Sequence, residues 1–266
     1  MVEKIILLVS EDGKSNVKID NGELISYSKD GEEYIHQKEN LGWNSSDTEM
    51  FPIIGPTVKN NYTVATLKGD AVLDQHGLLR EFEYQLLKKE QQKALFFKEY
   101  KKNTLLKNRK YPNTSPKEVV FWSYDFYFEK KIKLTNDALE IVFEINSEKG
   151  MPFMFGYHPA FKLSGLETEI IETPKKQIEL NKIMAVGANA YPLLNCSELV
   201  LHNSNKKNVK VTTKGFNNFM LWTAVSNMLC IEPITQFPSL KDHKYSNKNM
   251  RISCGNDVFS VIINIL

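Results

Sequence analysis

Turn punctuation constrains this chain more than any other feature. Pairs containing Gly, Asn or Asp recur at short intervals: Asp12-Gly13, Asn21-Gly22, Asp30-Gly31, Asn136-Asp137, Lys214-Gly215 and Gly255-Asn256. Residues of these types tolerate the positive φ angles that tight hairpins demand. Between them lie apolar or alternating segments rich in β-branched and aromatic residues: Ile5 to Val9, Phe82 to Leu87, Tyr124 to Phe128, Leu139 to Ile145, Met151 to Tyr157, Phe219 to Val225, and Val258 to Leu266. Such compositions favour half-buried strands. The longest helix-like stretch is Lys88 to Lys102, and its consecutive Ala94, Leu95, Phe96 and Phe97 suit a strand at least as well. Many short strands without alternating βα units predict an all-β fold, a large and mostly antiparallel sandwich.

At 266 residues, with no internal repeat or low-complexity linker, a single domain over 1–266 is expected. Lys+Arg number 34 against Asp+Glu 32, so the chain lacks the strong field that would hold nucleic acid or an anionic membrane. The lysines between Lys88 and Lys117, although interleaved with Phe96, Phe97 and Tyr100, read as a solvated edge where charge discourages sheet-to-sheet pairing. A small molecule bound in a pocket is therefore the expected partner, with no nucleic acid and no membrane. The apolar run Ile5 to Val9 is shorter than a signal peptide's core and lacks a cleavage site. No run approaches the ~18 apolar residues of a transmembrane helix. Cys196, Cys230 and Cys254 are odd in number and widely spaced, so neither a disulfide framework nor a zinc site is indicated. A reducing, cytoplasmic setting and no metal are expected.

Two segments share a physical design. One ends at His158-Pro159 and the other at Glu232-Pro233, each with an ionisable residue directly before a proline. Period-2 alternation puts Met154, Gly156 and His158 on one strand face, and Met228, Cys230 and Glu232 on one face of the other. Gly156 would then leave space for a ligand beside the imidazole. Proline removes a ladder N–H and confines its predecessor to extended conformations, so both strands are expected to stop there with the titratable residue fixed. Taken singly, each residue also has a plainer reading, a hydrogen-bonded strand-end histidine and a paired carboxylate. A third segment, Asp74-Gln75-His76-Gly77-Leu78-Leu79-Arg80, combines donors, acceptors and a turn-permitting glycine. It suits sugar hydroxyls, with Arg80 fixing an oxygen or orienting a carboxylate; its plainer reading is a polar hairpin loop.

These segments, in this order, resemble the aldose 1-epimerase (galactose mutarotase) family, and its LacX-like branch in particular. Phe51-Pro52-Ile53-Ile54-Gly55 resembles the family's FP-x-x-G, and Gln75-His76-Gly77 with Arg80 resembles QHG-x-x-R. Met151-Pro152-Phe153 through Gly156-Tyr157-His158-Pro159-Ala160-Phe161 resembles MPF-x-x-GYHPAF, and Cys230-Ile231-Glu232-Pro233 resembles C-x-EP. The resemblance implies a galactose-mutarotase-type β-supersandwich, His158 as acid, Glu232 as base, substrate contacts from His76, Arg80 and Gln75, and no cofactor. Three positions depart from the pattern: Tyr34-Ile35-His36-Gln37 stands where the branch often has an aromatic, Pro56 where it has arginine, and Ile234 where it has tryptophan. Lys59 and Asn60 are the nearby candidates to replace the arginine's contacts. No residue lines up with the acidic substrate ligand of the galactose branch.

Mutarotation needs one base for the C1 hydroxyl proton and one acid for the ring oxygen, each contributing typically ~10²- to 10⁴-fold. Two rivals stand beside it. A sugar-binding protein would use the same cleft without turnover. A glycosidase would need two carboxylates flanking the bond, and only Glu232 has a convincing setting.

Overall fold

The computed structural model describes residues 5–238, 245 and 249–266. Its centre is a nine-stranded antiparallel sheet in which Asn256–Ile265, Ala138–Ser147, Phe126–Leu134 and Lys93–Tyr100 lie side by side. Strict alternation builds its inner face. Phe126, Phe128, Ile132 and Leu134 are buried, as are Leu139, Ile141, Phe143 and Ile145 next door, and Phe259, Val261 and Ile263 beyond them. Each such side chain contributes about 1.5–3 kcal/mol on burial.

A five-stranded sheet covers that face, ordered Tyr191–Leu194, Asn218–Trp222, Met228–Ile234, Gly156–Lys162 and Asp47–Met50. The two sheets meet through aromatic rings: Phe143 packs against Phe155 and Tyr157, with centroids 5.1 Å away in each case. A four-stranded meander, beginning Ile5–Val9, Ser15–Asp20 and Glu23–Lys29, closes one side. The architecture is the expected all-β, mostly antiparallel sandwich. Among the described residues no helix is long and apolar enough to cross a membrane.

The turns divide into two kinds. Asp12-Gly13, Asn21-Gly22, Asp30-Gly31 and Asn136-Asp137 each join paired neighbours. Lys214-Gly215 instead carries the chain from the nine-stranded sheet to the five-stranded one, and Gly255-Asn256 follows a strand that pairs with Pro152–Phe153. The segment Lys88 to Lys102 is strand, part of the hairpin formed by Gln85–Lys89 and Lys93–Tyr100. Phe82 to Leu87 is strand only from Gln85 on, after a 3-10 turn at Leu79–Glu81. Met151 to Tyr157 is broken between Phe153 and Gly156, where Met154 N–H donates to Pro52 O (2.7 Å). The lysine stretch is an exposed edge at Lys88, yet Lys98 is buried, with its ammonium 4.1 Å from the Tyr84 ring centroid.

Candidate active site

The strands carrying His158 and Glu232 are neighbours, registered by Gly156 opposite Ile234 and Ala160 opposite Cys230. Two residues in from each of these pairs, His158 stands directly opposite Glu232. Ladder pairing lapses between the two points, and the prolines are the cause. Ala160 N–H donates to Ser46 O (2.8 Å), away from the Glu232 strand, so the odd-numbered N–H groups of its strand point toward that neighbour. Thr235 N–H donates to Phe155 O (2.9 Å), so the odd-numbered N–H groups of the Glu232 strand point back. Pro159 and Pro233 are both odd. Each deletes one donor from the seam, on either side of the carboxylate–imidazole pair. The expectation that the prolines end both strands is thus corrected: the strands run on to Lys162 and Ile234, and the hydrogen-bond ladder between them lapses instead. Pairing on the outer flanks, His158 with Thr48 and Glu232 with Met220, keeps both backbones fixed.

Gly156 also plays a different part from the one expected. A Cβ there would lie 2.5 Å from Met50 Cε and 3.0 Å from Ile234 Cγ2, so neighbouring side chains, not a ligand, occupy the space beside it.

The two remaining motifs are knitted to each other. Gly77 has φ +81°, and a Cβ there would fall 2.1 Å from Phe51 O. That carbonyl accepts the Leu78 and Leu79 N–H groups at 3.0 and 3.2 Å. Gly55 N–H donates to His76 Nδ1 (3.2 Å), and His76 N–H returns a bond to Gly55 O (3.2 Å). With Nδ1 accepting, a neutral His76 carries its proton on Nε2, 3.1 Å from the Gln75 side-chain amide, which receives it with its oxygen once the amide is turned over. Arg80 is anchored by Nε donating to Glu49 O (2.9 Å), while one terminal nitrogen is buried with no hydrogen-bond partner among the described residues.

These side chains converge. His158 Nε2 lies 3.4 Å from Glu232 Oε1, and the His76 ring centroid is 6.1 Å from that of His158. Together with Gln75, Arg80, Lys110, Asn189, Trp43 and Trp222 they line a cavity of about 350 Å³. Lys59 is not brought there: it is exposed on the 3-10 turn Val58–Asn60, which faces solvent. Pro56 itself lines the wall where the family has arginine, its carbonyl accepting the Tyr245 hydroxyl (3.0 Å). His36 and Ile234 are buried away from the cavity.

Trp43, Trp222, Lys110 and Asn189 were not singled out by sequence reasoning. An isolated tryptophan in the polar stretch Asn40 to Ser46 was a usable signal for the first. Lys110 is lost among other lysines, and Asn189 carries no local mark at all.

Burial dominates the electrostatics. It pushes the Glu232 carboxyl up to about 8, against the opposing pull of the Arg80 guanidinium. Burial, helped by Arg80, holds the His158 imidazole well below its usual value. His76 is lowered in the same way, by burial and then by Arg80, His158 and Lys110. These shifts favour an uncharged pair, with the proton on the carboxyl. The charged pair differs from it only by a proton moved between the two groups.

The chain is an antiparallel supersandwich that brings a buried carboxyl and a buried imidazole within 3.4 Å of each other in a cavity lined by Gln75, Arg80 and Asn189. Residues 29–257 match the family described as aldose 1-epimerase, and the chain belongs to it. The chromosomal LacX protein of Lactococcus lactis subsp. lactis is 26% identical over 161 residues, 57% of this chain and 48% of that protein, so the match spans about half of its length. Solved structures share the fold. A galactose mutarotase related enzyme from Lactobacillus acidophilus superposes with TM-score 0.78 at 18% identity, covering 98% of this chain and 97% of that one. A galactose mutarotase-like protein from Lactobacillus casei gives TM-score 0.78 at 15% identity, covering 98% and 100%.

Proposed function

We propose that this protein is an aldose 1-epimerase, a mutarotase that interconverts the α and β anomers of an aldose by opening and reclosing its ring. Glu232 takes the C1 hydroxyl proton as base and His158 gives a proton to the ring oxygen as acid. Rotation about C1–C2 presents the other carbonyl face, and as the ring closes Glu232 returns its proton to the C1 oxygen while His158 takes back the one it gave to the ring oxygen. The observation that carries this reading is the opposition of the two side chains at 3.4 Å inside a cavity at the small end of ligand sites, sized for one monosaccharide.

Protonation supports it as well. Hydroxyls of a bound sugar hydrogen-bond the carboxylate, and Arg80 already pulls Glu232 toward ionisation. Ligand binding therefore favours the charged pair without any proton entering or leaving the site. Gln75, His76, Arg80 and Asn189 supply donors and acceptors for the remaining hydroxyls.

Polarimetry on freshly dissolved pure anomers, both free aldoses and their 6-phosphates, tests the activity and the substrate together. The expected result is an approach to equilibrium faster than the spontaneous rate for at least one aldose. Glu232→Gln and His158→Asn should each lower the catalysed rate by about 10²- to 10⁴-fold with circular dichroism unchanged. Saturable sugar binding without acceleration would make the protein a sugar-binding module instead.

A further inference from the structure

A histidine that trades protons is commonly held in place by a hydrogen bond at the ring nitrogen away from the chemistry. In His158 that support is slight: Nδ1 is buried and meets no acceptor of another residue among the described residues, only its own backbone carbonyl favouring a proton there, while Nε2 faces Glu232. An indole lies against the ring instead. The Trp43 centroid is 4.3 Å from that of His158, with the planes at 36°.

Trp43 reaches this place from a loop, 37–46, whose other residues are largely exposed. The loop is pinned at its ends, where Gln37 Nε2 donates to Ile25 O (3.0 Å) and Ser46 N–H donates to Glu23 Oε1 (2.7 Å), and a second set of bonds leads to the indole. Wholly buried His36 donates its N–H to Ala160 O (2.8 Å), and the Ser46 hydroxyl donates to His36 O (2.8 Å). His36 Nε2 donates to Trp43 O (2.9 Å), and Trp43 N–H donates to Met228 Sδ (3.3 Å). The tetrad of His36, Trp43, Ser46 and Met228 thus fixes one side chain in an otherwise solvated strap. It also accounts for the buried histidine at position 36.

We propose that Trp43 is a positioning residue for His158, holding the imidazole with Nε2 toward Glu232 and favouring its protonated form through the indole π face. The groups facing His158 are Glu232 and Cys230 on the neighbouring strand, Thr48 on the other flank, and Arg80 and His76 across the cavity. Arg80 and burial disfavour an imidazolium. Glu232, once ionised, and the indole face oppose them.

The kinetic arm of the test rests on the epimerase reading, and a spectroscopic arm does not. Trp43→Leu keeps apolar bulk over the ring without a π face, and Trp43→Phe keeps the face. Expected in Trp43→Leu is a kcat reduced roughly 2- to 30-fold, the worth of a partly to fully desolvated cation–π contact, with KM little changed. Trp43→Phe should recover most of it. Ring ¹⁵N shifts of His158 followed through an acid titration report protonation of the imidazole independently of turnover; protonation should need a lower pH in Trp43→Leu and stay near wild type in Trp43→Phe. Identical shifts in all three proteins would overturn the proposal, as would a loss confined to KM, which marks a sugar platform. A wild-type protein that accelerates no aldose would sink the epimerase reading alone, leaving the ¹⁵N comparison to decide the role of Trp43.

Discussion

Glu232 shows at the residue scale what the site costs the fold. A free glutamate ionises near 4.3, whereas here burial raises the carboxyl to about 8. The folded state therefore binds the proton more tightly than the unfolded chain, and stability conferred by the protonated carboxyl is lost as pH rises through that window, at up to about 1.4 kcal/mol per unit. His158 works in the other direction: its lowered value withdraws stability as pH falls below the ordinary histidine range. The two slopes offset each other in mildly acidic solution, and Glu232 alone acts from roughly neutral pH up to about 8. Glu232→Gln, which has no proton to lose, should be more stable than wild type, by a margin that widens from pH 5 to pH 8 and then levels. Urea unfolding at several pH values measures it. A constant margin would show that the carboxyl does not titrate in that window.

The lapsed ladder belongs to the element scale. Pro159 and Pro233 leave their strands in register while each removes one hydrogen bond beside the carboxyl–imidazole pair. Restoring a donor with Pro159→Ala adds a bond worth about 0.5–1.5 kcal/mol and returns about 0.4–1 kcal/mol of unfolded-chain entropy. Stability should then change by no more than about 1 kcal/mol, while the restored bond tightens the ladder beside the pair and, on the proposed function, lowers anomer exchange by roughly tenfold or more. Slow hydrogen exchange at the backbone amide that Pro159→Ala introduces, read by NMR, would confirm the restored bond; fast exchange would show that the prolines do not cause the lapse. How far these elements were legible beforehand follows from the range of the forces involved. Alternation at Leu139 to Ile145 depends on one strand and one face, so the local pattern suffices. The roles of Lys214-Gly215 and Gly255-Asn256 depend on which sheet the next strand joins, a long-range choice that no dipeptide encodes. His158 and Glu232 stand out because each precedes a proline, but it is the ordered set of motifs around them, not either residue alone, that makes them a candidate pair. Trp43 was not, because its importance comes from a loop docking on another strand.

At the scale of the whole molecule, the sheets are tied by a charged cluster in the core. Lys130 sits on the inner face of Phe126–Leu134, where its neighbours are Phe128 and Ile132, and it is fully buried. Its ammonium lies 2.8 Å from both Asp47 and Glu49 of the edge strand Asp47–Met50. Asp47 accepts further hydrogen bonds from the Tyr157 hydroxyl (2.6 Å) and the Leu24 N–H (3.0 Å), bringing in the strand of His158 and the four-stranded meander. The carbonyl of Glu49 holds Arg80, so the tie reaches the cavity wall. Removing one member of such a cluster strands the others without compensation, whereas removing all of its charges does not. Lys130→Met should therefore destabilise the protein by about 3–5 kcal/mol. Adding Asp47→Asn and Glu49→Gln to that variant should restore part of the loss, since the two carboxylates left without Lys130 are then neutral, the remainder being the buried Lys98 ammonium that Glu49 also favours. Denaturant midpoints of the single and triple variants measure this directly. A triple variant no more stable than Lys130→Met would mean that the geometry of the ion pairs, and not the cancellation of their charges, holds the three sheets together.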